Sequence, residues 1–200
     1  LSTVYTVNMV YQVTQVGLNP LQLILIGTAL EGTIFVFEIP TGIVADVYSR
    51  RLSVILGYIL LAIGILIEGS IPVFEALLFS AFVAGIGYTF LSGATSAWIV
   101  DEIGQERASG AFLRASQVGQ VMGFAGIIAS VTLAAISLQL AIITGGLLML
   151  CLVVGLILFM PEDGFTRVPA SERESWADLF STFREGVKLV RGRQVLMAIL

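Results

Sequence analysis

Apolar runs of spanning length recur along the chain, separated by short breaks rich in Gly, Pro, Asn and Arg. That alternation is the one expected of helices crossing a bilayer, each needing about 20 residues. The first run, Leu1 to Gln15, ends at the turn-forming Gly17-Leu18-Asn19-Pro20. The second is expected from about Leu21 to Ala45 and the third from Leu52 to about Glu68. The fourth spans Pro72 to Val100, the fifth Ala108 to about Ile136, and the sixth Leu138 to Met160. Pro161-Glu162-Asp163-Gly164 stops the sixth, a polar stretch follows, and an apolar run resumes near Val195. The pattern predicts an all-α membrane protein. Residues 1–160 form a bundle of six transmembrane helices, 161–194 a linker, and 195–200 the start of a seventh helix. The first run opens with its pattern already under way, and the last is too short to span. We therefore expect the chain to be a piece of a longer protein.

Composition agrees. Hydrophobic residues make up 57% and charged residues 12% of the chain, where a soluble domain carries about 25% charged residues. So little charge cannot cover a globule with a wettable surface. There is no histidine and one cysteine, Cys151, so neither a disulfide framework nor a Cys/His zinc site is expected. Cys151 reads as a small lipid- or core-facing residue.

The positions of the ten Lys and Arg residues orient the bundle. Arg50 and Arg51 lie between the second and third spans, and Arg107 and Arg114 lie at the start of the fifth. The other six follow the sixth span: Arg167, Arg173, Arg184, Lys188, Arg191 and Arg193. The opposite loops carry none, so the positive-inside rule makes the basic loops cytoplasmic. Within the linker, Ser175 and Asp178 suggest a helix cap. Trp176, Leu179, Phe180, Phe183, Val187 and Val190 then share one helical face, describing an amphipathic helix in the headgroup layer, with packing on a neighbouring soluble domain as the alternative.

Polar positions sort the spans. The third and sixth read as apolar all round and suited to face lipid. The first places Asn8, Gln12 and Gln15 on one face. The fourth carries Tyr88, Ser92, Thr95 and Ser96, and the fifth carries Gln117 and Gln120. Such residues at membrane depth either bridge helices or line a wet cavity, and both readings stay open. Gly119, Gly123 and Gly126 read as a close-packing face of the fifth span. The second span holds Glu31 and Glu38 seven residues apart, on one helical face and about 10 Å from each other. Both are candidates for proton or substrate binding, against a structural or interfacial role. Pro40 predicts a bend near Val36.

The loop after the second span reads Gly42-Ile43-Val44-Ala45-Asp46-Val47-Tyr48-Ser49-Arg50-Arg51. It resembles the loop signature of the major facilitator superfamily, G-x-x-x-D-R-x-G-R-R, with Gly42, Asp46, Arg50 and Arg51 matching. Val47 replaces a usual basic residue. Ser49 replaces a usual Gly, so the turn is expected to form without glycine's freedom. Asp101 matches the acid that pairs with the motif arginine, and Phe37-Glu38-Ile39-Pro40-Thr41 is similar to bacterial drug and metabolite exporters. The fifth span lacks the Gly-Pro pair of the antiporters. The resemblance implies the amino-terminal half of a twelve-helix carrier working by alternating access. It further implies a cytoplasmic latch of Gly42, Asp46, Arg50, Arg51 and Asp101, a plasma-membrane location, and export of a small amphiphilic molecule or drug, with proton coupling open. The partners implied are that substrate, the lipid bilayer and a carboxy-terminal six-helix half, without nucleic acid or cofactor. A six-helix channel or scaffold is the alternative. An intramembrane serine protease at Ser92-Gly93-Ala94-Thr95-Ser96 is disfavoured, because the chain has no histidine to pair with the serine.

Overall fold

The computed structural model describes residues 2–166, with side chains from Val7 onward. The linker helix expected at Ser175–Arg191, the helix start near Val195 and the six basic residues from Arg167 on lie outside the described residues.

Among the described residues, seven α-helices follow one another: α1 Ser2–Thr14, α2 Pro20–Val47, α3 Arg50–Ser70, α4 Phe74–Leu91, α5 Ala94–Ile103, α6 Gln105–Ala134 and α7 Leu138–Phe159. Among the described residues, five segments are long and apolar enough to cross a membrane: α2, α3, α4 together with α5, α6 and α7. The 13 residues of α1 fall short of a span.

The breaks have local causes. Gly17 takes a left-handed φ of 73°, a conformation that disfavours residues with a Cβ. Asn19 then caps α2 in a reciprocal box, its side chain accepting from the Gln22 backbone amide while the Gln22 side chain accepts from the Asn19 backbone amide. Pro20 follows at the first helical position, where its missing N–H removes nothing. Ser137 caps α7 by accepting from the Leu140 amide.

Two expectations about continuity change. The fourth span is not one helix. It breaks at Ser92-Gly93, where Gly93 adopts φ 70°, and resumes as α5. The break before the fifth span shrinks to Gly104, at φ 79°. Meanwhile α2 keeps its α-helical form through Pro40, and the Thr41 hydroxyl donates to the Phe37 carbonyl at 2.8 Å.

Packing centres on α3, and this corrects its reading as a lipid-facing helix. Half of its spanning window is buried. Gly57 of α3 and Gly87 of α4 bring the two backbones together: a Cβ on either would stand 2.9 Å from the other's carbonyl oxygen. Ser80 of α4 donates to the Gly64 carbonyl at 2.8 Å, and Ser53 of α3 to the Phe90 carbonyl at 2.8 Å. An all-apolar helix is also what a buried central position selects. The sixth span does present lipid-compatible side chains, with Leu148, Leu158 and Phe159 of α7 exposed. Close packing falls on the glycines of α3 and α4. It does not fall at Gly119 of α6, where an added Cβ would meet open space.

The core joins Val7 and Tyr11 of α1 to Leu61, Ala62 and Ile65 of α3 and Ala141, Ile142 and Met149 of α7. By contrast, α2 and α6 leave most of their apolar surface uncovered. Only 11% and 6% of their spanning windows are buried.

Candidate functional site

At the end of the bundle where α2, α3 and α5 meet, Arg50 opens α3 as its first residue. Its Nε lies 2.6 Å from Asp101 Oδ2 of α5, and its Nη1 lies 3.8 Å from Asp46 Oδ1 at the end of α2. The side chains of Arg50 and Asp101 are 13% and 19% exposed, and that of Asp46 is 32% exposed. The tighter and drier contact is the one to Asp101. Opposite charges held at this depth attract more strongly than on an open surface.

Arg51 turns the other way. Its guanidinium Nη2 donates to the Ile157 carbonyl of α7 at 2.5 Å, while its amide donates to Glu162 Oε1 at 3.0 Å. Ser49 has an extended φ of −173° and caps α3 by accepting from the Leu52 amide at 2.8 Å. Its hydroxyl donates to Glu162. The α2–α3 turn thus contains no left-handed residue and forms without glycine's freedom. A serine supplies what a glycine cannot, a cap. The Glu162 carboxylate also sits where the helix dipole favours negative charge.

The segment after α7 is fastened to α5 as well. Trp98 Nε1 donates to the Pro161 carbonyl at 2.7 Å, and the Gly164 amide to Glu102 Oε1 at 2.9 Å. Gly42, the remaining signature residue, packs on nothing described: a Cβ there would meet open space.

The second feature is a cavity of about 250 Å³ between α1, α2, α3 and α4. Asn8, Gln12 and Tyr88 line it. Glu68 of α3 lines it too and is 7% exposed. Gln12 Nε2 donates to its Oε1 at 2.7 Å, and Asn8 Nδ2 to its Oε2 at 3.3 Å. The Tyr11 hydroxyl donates to the Glu68 carbonyl at 2.8 Å. Leu23, Ile26, Leu30, Leu61 and Leu77 make up much of the wall.

The other candidates are not gathered there. Gln117 and Gln120 lie exposed on α6, so the fifth span's polar pair is separate from this cavity. Glu31 is exposed and Glu38 half-buried on α2, and neither lines the cavity. Sequence reasoning missed Glu68 and Glu162. Glu68 had a readable signal, the lone acid in an otherwise apolar span, facing the Asn8 and Gln12 stripe of another.

The Major Facilitator Superfamily profile matches residues 1–200, the whole chain. The chain belongs to the Major Facilitator Superfamily. It is therefore a multi-pass membrane transporter and not an enzyme. No match emerged among curated proteins.

Proposed function

We propose that this superfamily member is the amino-terminal half of an alternating-access exporter of small amphiphilic molecules, located in the plasma membrane with its basic loops in the cytoplasm. The observation that carries the reading is the Arg50–Asp101 ion pair. It ties the start of α3 to the end of α5 through side chains alone, so it can be made in one conformation and released in another. A contact with that property biases a two-state equilibrium by its differential strength. Gly42, Asp46, Arg50, Arg51 and Asp101 act together as the cytoplasmic latch.

The uncovered faces of α2 and α6 support docking of a second six-helix half. They are largely apolar, and α2 carries Gly32 and Gly42 with open space above them. Small residues of this kind let helices approach closely and slide. Glu31 is exposed on α2 and is the proposed proton carrier of an antiport cycle, with Glu38 second. A channel or scaffold would have no use for a breakable pair, which favours the carrier.

The test is transport in proteoliposomes containing the intact carrier, using a fluorescent amphiphilic dye and an imposed pH gradient. Asp101→Asn should slow dye movement with normal membrane insertion, and Glu31→Gln should abolish the response to the gradient. Parental rates in Asp101→Asn would remove the latch. Dye flux that saturates neither with concentration nor with time would favour a channel.

A further inference from the structure

We propose that the cavity between α1 and α4 is a binding site for a small organic monocation, a protonated amine on a short apolar body, with Glu68 as its counter-ion and Asn8 as its orienting acceptor. The inference rests on the transporter reading and adds the substrate class.

Three observations lead there. First, Glu68 is buried and carries no ion pair among the described residues; its side-chain partners are two neutral amides, Gln12 and Asn8. Each carboxylate oxygen accepts one amide hydrogen, so the group is positioned without being neutralised. A carboxylate still has further lone pairs to offer. Second, Asn8 Oδ1 is buried and has no hydrogen-bond partner among the described residues. A carboxylate only accepts, so Asn8 turns its NH₂ toward Glu68, which leaves its carbonyl oxygen for a donor that the described residues do not supply. A buried acceptor without a partner costs about 1–3 kcal/mol, and a bound donor would recover it. Third, the rest of the wall is mostly apolar, Leu23, Ile26, Leu30 and Leu77 among it, and among the described residues no Lys or Arg lines the cavity.

A ligand matching these walls donates hydrogen bonds at one end, carries positive charge there, and is apolar elsewhere. A primary ammonium meets all three demands. An anion would face Glu68 with no compensating base, and a neutral hydrocarbon would leave Asn8 Oδ1 unpaired. Size sharpens the assignment. The volume of about 250 Å³ lies just under the usual 300–1,000 Å³ of sites for drug-sized ligands. That suits a compact monoamine.

The decisive measurement compares phenethylammonium with phenethyl alcohol, which share an aromatic skeleton and differ in charge. Equilibrium binding of each is titrated at neutral pH to the intact carrier in lipid nanodiscs, with empty nanodiscs subtracted. The parent should prefer the ammonium by roughly tenfold or more. Glu68→Gln should erase that preference while changing alcohol affinity by less than about twofold. Glu68→Asp, which keeps the charge, should retain it. Equal binding of the two compounds by the parent overturns the proposal. So does a Gln variant that still prefers the ammonium, or one that loses both ligands equally and marks Glu68 as a strut. Binding is read without transport, so the two readings fail separately. A carrier that binds as expected yet moves neither compound would uphold the amine site and defeat the export reading.

Discussion

The Ser49 hydroxyl lies 2.8 Å from both carboxylate oxygens of Glu162, a residue 113 positions away in the chain. The Arg51 amide donates to the same carboxylate at 3.0 Å. The segment following α7 therefore closes the amino-terminal end of α3, and the signature turn is held by a residue outside the signature. Glu162→Ala should destabilise the bundle by about 1–2 kcal/mol, the usual worth of a helix cap with a favourable dipole contact. Ser49→Gly, which restores the superfamily's usual residue, should lower stability as well, because the extended backbone at Ser49 makes no demand for glycine. Thermal unfolding of the detergent-purified protein reads both. A Ser49→Gly variant more stable than the parent would contradict the cap.

The two acids beside Arg50 should not be equivalent. Asp101 makes the closer contact, 2.6 Å against 3.8 Å for Asp46. Removing it leaves a mostly buried guanidinium with its weaker partner only. Initial transport rates should fall further in Asp101→Asn than in Asp46→Asn, with equal amounts of each in the membrane. The reverse order would mean that the pairing to Asp46 governs the step.

Glycines separate packing within the bundle from contacts beyond it. A Cβ on Gly87 would press on the Gly57 carbonyl, and one on Gly164 would strike the Asp101 carbonyl. Gly87→Ala and Gly164→Ala should each lower the unfolding midpoint, by the overpacking penalty of roughly 1–3 kcal/mol. Gly42→Ala meets open space. It should leave the midpoint unchanged while slowing transport, as the proposed docking of a second half requires. Normal transport by Gly42→Ala would remove that role.

Orientation can be read by cysteine labelling in a Cys151→Ala background. Ile136 lies in the α6–α7 turn and is 76% exposed, and Asp163 is exposed beyond α7. With the basic loops cytoplasmic, an impermeant thiol reagent applied to intact cells should label Ile136→Cys and spare Asp163→Cys. Labelling of Asp163→Cys alone would invert the topology.

Much of the fold was legible because bilayer thickness, helix rise and backbone satisfaction leave few choices for apolar runs of this length. The stops at Gly17 to Pro20 and at Pro161 were readable from residues whose backbone preferences are strong. The break at Gly93 was harder, since glycine is common in transmembrane helices and only its left-handed φ reveals a break. The burial of α3 was misread because an apolar helix suits both lipid and protein interior, and composition does not separate them. At the site, Asn8 with Gln12 was legible from periodicity, and Arg50 with Asp101 only through the resemblance to the superfamily. Glu162 was not, because its role depends on how the chain folds back after α7. Glu68 was visible as a lone membrane acid, but only the position of α1 shows what surrounds it.

The position of Glu68 also bears on how the protein is made. Glu68 lies in the last turn of α3; a carboxylate at the centre of a span is unfavourable on the insertion scale by about 2.5–3.5 kcal/mol, and near its end by less. The amides that receive it, from Asn8 and Gln12, stand 60 and 56 residues earlier in the chain. They leave the ribosome first, since synthesis delivers the amino-terminal end ahead of the rest. For α3 to enter the bilayer with its acid already partnered, α1 must still be waiting beside the insertion site and must not have diffused into lipid. Biogenesis is then a matter of timing, and the polar face of α1 acts on α3 as a chaperone built into the same chain.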